Sequence, residues 1–244
     1  MQIVTERVQI PVGGATMGGY LARPEGAGAH PGVLVFMEIF GINAHIRDVT
    51  ERVAREGYVA LAPDFFHRTG PGLDVGYDDA GRTEGFKHLG ALQADQMIAD
   101  ARAALAFLRG RPDVSGKVGC MGFCIGGHMT YLTACETDVA AAASFYGGGI
   151  AAPKGPGGAP STLSRTSKIR GKIVCLFGEQ DGMIPLTQVQ AIEAELAKHG
   201  VRHEIVIYQN ADHGFFCDQR ATWQKTAAAD AWRRVKELFA AELR

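Results

Sequence analysis

The chain has no charge imbalance, only two tryptophans and no long apolar run. Its 25 Lys+Arg stand against 26 Asp+Glu in 244 residues, a formal charge of −1. No Lys/Arg block breaks this even mixture, which argues against polyanion or membrane-surface binding as the organising function; no nucleic-acid partner and no membrane partner are expected. No stretch approaches the roughly 18 uninterrupted apolar residues of a spanning helix. The first residues, MQIVTERVQIPVGG, lack the basic segment and apolar run of a secretory leader, so a cytoplasmic location is expected. Cysteine is scarce and odd in number: Cys120, Cys124, Cys135, Cys175 and Cys217 stand at irregular spacing, which points to reduced thiols rather than a disulfide framework. No His or Cys pair has metal-ligand spacing, so no metal and no other cofactor is expected.

What is present is apolar and ordered in a pattern. Apolar residues make up 46% of the chain, enough for a sizeable core. Short β-branched runs at 3–10 and 16–22, separated by PVGGATMGG, predict a leading antiparallel hairpin. Strands follow at GVLVFM (32–37), YVALAP (58–63), KVGCMGF, DVAAAASFY, KIVCLFG and HEIVIY. Helices are predicted between and after them: Ile46, Val49 and Val53 at helical spacing with Gly57 as a stop, then 91–109, 126–134, 186–199 and about 220–242. Continuous apolar strands alternating with helices predict an α/β fold, a mostly parallel sheet covered on both faces. With no repeat and no linker-like shift in composition, residues 1–244 read as a single domain. Two long Gly/Pro-rich loops, about 64–90 and 147–170, are candidate walls of a site.

In such a sheet reactive groups collect just past the carboxyl ends of the strands. Cys124 stands there in CMGFCIGGH, framed by Gly122 and Gly126 in a Gly-x-Cys-x-Gly strand-to-helix turn. Such a turn lifts the side chain out of the sheet, and the adjoining helix amino terminus favours the anionic sulfur. The stretch alone leaves a nucleophile and a buried thiol in a tight turn equally open. Asp181 follows the strand KIVCLFG and His213 follows HEIVIY, so nucleophile, acid and base occur in the chain order of hydrolases built on this kind of sheet. Three roles at three strand ends favour the nucleophile. A thiol redox centre using Cys120 with Cys124 has C-x-x-x-C spacing, and a non-catalytic binding domain of the same fold is the remaining alternative.

The segments MEIFGIN (37–43), APDFF (62–66), GKVGCMGFCIGGH (116–128), GEQDGMIP (178–185) and ADHGF (211–215) together resemble the dienelactone hydrolase family over nearly the whole chain. The resemblance implies an α/β-hydrolase fold and a Cys-His-Asp triad at Cys124, His213 and Asp181. It implies that Glu38 holds the resting thiol, and that the backbone N–H groups of Ile39 and Ile125 form the oxyanion hole. The implied reaction is hydrolysis of a small-molecule ester or enol lactone, of the dienelactone-to-maleylacetate type, through a thioester; a broader esterase is the alternative. For the substrate, the family's two arginines put Arg82 forward, with Phe86 and Phe40 beside it. The second arginine's place is taken by Cys217, leaving Arg220 as a substitute one turn on. Relatives weakly favour a monomer.

Overall fold

The computed structural model describes residues 1–244 and places every strand in one eight-stranded sheet of order β1-β2-β4-β3-β5-β6-β7-β8. β1 (Ile3–Val12) and β2 (Ala15–Pro24) form the expected hairpin, and each runs longer than its apolar run. The turn between them is only Gly13-Gly14, both at positive φ, the backbone a two-residue hairpin needs to follow the strand twist. β2 joins β4 (Val59–Pro63) antiparallel, and every later pairing is parallel.

β3 (His30–Phe36) lies between β4 and β5 (Val114–Phe123) and sends its crossover helix, α1 (Ala44–Arg55), back to β4. All later crossovers run the other way, from β4 to β5, to β6 (Ala141–Phe145), to β7 (Lys172–Gly178) and to β8 (His203–Tyr208). Because such crossovers are right-handed, reversing direction reverses the face. α1 therefore covers one side, and α3 (Ala94–Arg109), α4 (Ile125–Glu136) and α5 (Leu186–Lys198) cover the other. The last helix, α6 (Lys225–Leu243), returns to the α1 side, where Phe239 packs edge-on against Tyr58. The reversal occurs between β3 and β5, so the crevice that open α/β sheets use for ligands falls beside their carboxyl ends.

One element differs from the sequence expectation. Residues 64–90 are not a structureless loop; they contain α2 (Asp79–Gly90), capped by the Asp78 carboxylate accepting from the Gly81 N–H at 2.8 Å. Its buried face is Gly81, Gly85 and His88, a stripe with no large apolar residue that hydrophobic periodicity cannot register. A side chain at Gly85 would run into the carbonyl of Ile39, so the smallness of this stripe is what lets α2 lie against the β3 end. The long stretch after β6 keeps its loop character, with 3-10 segments at Pro156–Gly158 and Thr162–Lys168.

Candidate active site

The register Phe36↔Gly122 brings the residues just after β3 alongside those just after β5. Cys124 follows β5 with φ 57° and ψ −119°, a left-handed backbone rare for a residue with a side chain. Strain of this kind persists only where neighbours over-determine it. Here the Cys124 N–H donates to the Phe145 carbonyl at 3.1 Å, and its own carbonyl accepts from the Gly127 and His128 N–H groups. Gly122 and Gly126 leave the space: a Cβ at Gly122 would lie 2.7 Å from the Phe36 Cβ and closer still to the Gly126 carbonyl. Gly122→Ala is therefore expected to cost about 2 kcal/mol by overpacking, measured as a lower midpoint in urea unfolding; an unchanged midpoint would show that strand and helix can part freely.

His213 and Asp181 converge on this turn from the next two strand ends. The ring Nδ1 of His213 lies 2.8 Å from Asp181 Oδ2. The Asp181 side chain is fully enclosed, and its other oxygen accepts from the Met183 N–H at 2.9 Å. The opposite ring nitrogen, Nε2, is sealed from solvent and makes no hydrogen bond within ordinary geometry; the Cys124 sulfur stands beside it. Burial opposes protonation of His213, but the sulfur and the Asp181 carboxylate outweigh it and raise the pKa to about 10. Near neutral pH this ring is a cation, with Asp181 at Nδ1 and the Cys124 sulfur beside Nε2. The backbone N–H groups of Ile39 and Ile125 donate to no other backbone group, and both residues are buried at the mouth of the turn.

Glu38 is fully buried, yet it is not bonded to the thiol as the resemblance implies. Its two oxygens accept from Tyr77 Oη at 3.2 Å and Arg220 Nη1 at 3.1 Å. Arg220 in turn lies over the rings of Phe40 and Tyr77, 5.8 and 5.6 Å from their centroids, and those rings meet edge to face at 4.6 Å. Arg220 thus takes up the inward position that Cys217, itself buried, leaves without a cation. Tyr77 was missed by the sequence reading because it sits in the irregular run before α2, with no pattern to single it out. Burial first, then the charge of Glu38, raises its hydroxyl pKa far above the usual range, so it stays a donor.

Arg82 and Phe86 are corrections. Each follows a glycine of the buried stripe of α2, and one residue is about 100° around a helix, so both point outward. Arg82 pairs with Asp79 in solvent, and Phe86 is among the exposed large side chains. All five cysteines are free; four are buried and Cys124 is half-buried. Cys120 lies within β5 with its thiol facing the Thr130 carbonyl, 3.9 Å away. Burial alone raises its pKa, which makes it a poor partner for redox exchange.

A cavity of about 430 Å³ opens over Cys124 and His213, within the usual size of a small-molecule site. Leu89, Gly90 and Leu92 form one wall, Met183 another, and Gly148, Gly149, Ala152 and Lys154–Gly157 the third. Of the two long loops, the one after β6 supplies more of the lining. No group of His, Cys, Asp and Glu is arranged to hold a metal ion, and no helix is long and apolar enough to cross a membrane.

Known proteins resemble this chain over nearly all of its length. A Synechocystis sp. protein provisionally named carboxymethylenebutenolidase is 46% identical over all of this chain and 99% of its own length. The carboxymethylenebutenolidase of Pseudomonas putida is 28% identical over 98% of this chain and 97% of its own. The crystal structure of a provisionally named dienelactone hydrolase from Klebsiella pneumoniae superposes with a TM-score of 0.89 at 30% identity, covering 98% of this chain and 99% of that one. The profile of the dienelactone hydrolase family matches residues 17–243, from within the hairpin to the end of the last helix. A match of that extent takes in all three strand ends that converge on the cavity, and with it the chain belongs to the dienelactone hydrolase family of carboxylic ester hydrolases.

Proposed function

We propose that this enzyme cleaves carboxylic esters and enol lactones with Cys124 as nucleophile, passing through a thioester. The sulfur attacks the carbonyl carbon, and the Ile39 and Ile125 N–H groups take the developing oxyanion. Collapse expels the alcohol or enol oxygen, which takes the proton from Nε2 of His213 and leaves the ring neutral. Water then gives a proton to His213 and attacks the thioester, releasing the acid and restoring the sulfur. Asp181 keeps Nδ1 of the ring as a donor, so Nε2 is the atom that exchanges the proton.

The observation that carries this reading is the His213 ring, fixed at Nδ1 by a buried carboxylate while its unbonded Nε2 faces a half-buried cysteine on a strained turn. Relatives named carboxymethylenebutenolidase favour an enol lactone such as dienelactone, opened to maleylacetate, as substrate. An enol leaving group departs with little acid assistance, which suits a thiolate. The outward Arg82 favours a second reading, an esterase of broader range. In either case, quenching the enzyme during turnover of p-nitrophenyl acetate is expected to reveal an acetyl group on the peptide containing Cys124. An acyl group on any other residue, or hydrolysis undiminished in Cys124→Ala, would sink the proposal.

A further inference from the structure

Two imidazoles line the cavity, His213 and His128. His128 stands one helical turn beyond the nucleophile, and its backbone N–H donates to the Cys124 carbonyl at 3.2 Å. Its ring is buried and both nitrogens are taken: Nδ1 lies 2.9 Å from the Gly148 carbonyl, and Nε2 lies 2.8 Å from Thr162 Oγ1, itself on a buried residue. A carbonyl can only accept, so Nδ1 carries the proton and Nε2 accepts from the Thr162 hydroxyl. Burial lowers the pKa of the ring, which agrees with this neutral form. His128 therefore has no nitrogen left to serve as a base toward Cys124.

The two partners of this ring belong to the two legs of one loop. After β6 the chain passes Gly148 on its way out and Thr162 on its way back. Between them lies a narrow turn, in which Lys154 bridges Pro160 in antiparallel fashion and the Gly155 N–H donates to the Ala159 carbonyl at 2.8 Å. The tip of the turn reaches the far side of the cavity: a side chain at Gly157 would run into the Gln93 amide, just before α3. Gly148, Gly149, Ala152 and Pro156 of this span line the cavity opposite Leu89 and Leu92. One imidazole thus bonds both legs of a cavity wall to the helix that opens at the nucleophile.

We infer that His128 is a positioning residue for ester cleavage: through Gly148 and Thr162 it holds the loop after β6 at a fixed distance from the Cys124 sulfur, and so limits the size of the acyl group the cavity accepts. This deepens the proposed function and rests on it. A fixed wall suits compact substrates, a small lactone ring or a short acyl chain, whereas a long chain needs the wall to move away. Withdrawing the Thr162 hydroxyl leaves Nε2 buried without a donor, which favours the displaced loop over the closed one.

Two substitutions cut the same bond from opposite ends. Thr162→Val keeps the side-chain shape and removes the hydroxyl; His128→Asn keeps a donor for the Gly148 carbonyl and withdraws from Thr162. The parent enzyme is expected to favour p-nitrophenyl acetate over p-nitrophenyl octanoate in kcat/KM. Each variant is expected to lower that ratio about tenfold, the worth of one buried hydrogen bond. The change should fall on KM rather than kcat, because Cys124, His213 and Asp181 are untouched. Hydrogen exchange in residues 149–161 should quicken while α4 keeps its protection. The double variant should do no more than either single one, and Thr162→Ser, which keeps the hydroxyl, should keep the parent ratio. A parent without the preference, a ratio unchanged in Thr162→Val and His128→Asn, or one that falls equally in Thr162→Ser overturns the role. Turnover of both esters that survives Cys124→Ala overturns the cysteine reading instead, so the two failures are told apart.

Discussion

Asp181→Asn is expected to lower kcat/KM by about a thousandfold to ten-thousandfold while the protein stays folded. The local hydrogen bonds dictate this size. The Met183 N–H needs an acceptor and now finds Oδ1 at 2.9 Å. An asparagine would turn its carbonyl oxygen to that N–H, which leaves the amide NH2 facing Nδ1 of His213. The ring must then accept at Nδ1 and carry its proton at Nε2, the atom that has to receive one. The geometry survives and the tautomer is wrong. Steady-state kinetics with an activated ester measures the loss; a variant within about tenfold of the parent would mean that Asp181 does not set the ring.

The same substitution carries a pH signature. His213 is raised from 6.5 to about 10, so its protonated form is favoured by folding. Its contribution to stability is complete below about 6.5 and is lost as pH rises through about 10. Asp181→Asn removes one of the two groups that raise it, so the stability gap between parent and variant is expected to be wide near neutral pH and to narrow toward pH 10. Urea unfolding across that interval reports the gap.

The catalytic candidates were legible because their signal is positional. Cys124, Asp181 and His213 each follow a strand that carries a short apolar run, and such runs are recognised from composition alone. The hairpin was legible for a related reason, since Gly13-Gly14 marks the turn. What periodicity could not reach was α2, whose buried face is glycine and histidine, and whatever depends on its rotation. Reading residues 79–90 as loop left Arg82 free to face the site; as helix, its orientation follows from Gly81 and Gly85 and is outward. Tyr77 stands in an irregular segment, where only the folded path decides which side chains converge. Glu38 was legible as an anomaly, a carboxylate between VLVFM and IF, but its partners lie 39 and 182 residues away along the chain.

Those partners make Glu38→Gln the other variant with a large expected effect, on stability rather than chemistry. The carboxylate is 1% exposed and the Arg220 side chain 21%. Removing one member of a buried pair leaves the other charged and enclosed, at a cost of about 3 kcal/mol, toward the lower end for such losses because the amide oxygen still accepts one bond. Arg220→Met is expected to cost a similar amount by exposing the mirror problem, an unpaired carboxylate held by Tyr77 alone. The double variant should recover much of the sum, giving a coupling energy above about 1 kcal/mol in a double-mutant cycle. Activity separates the two roles Glu38 could have. With both oxygens occupied by Tyr77 and Arg220, Glu38 acts as the anchor of Arg220, and the two single variants should lose comparable kcat/KM. If Glu38→Gln instead inactivates the enzyme while Arg220→Met stays active, the carboxylate handles the thiol's proton directly, and the ion pair is only its resting place.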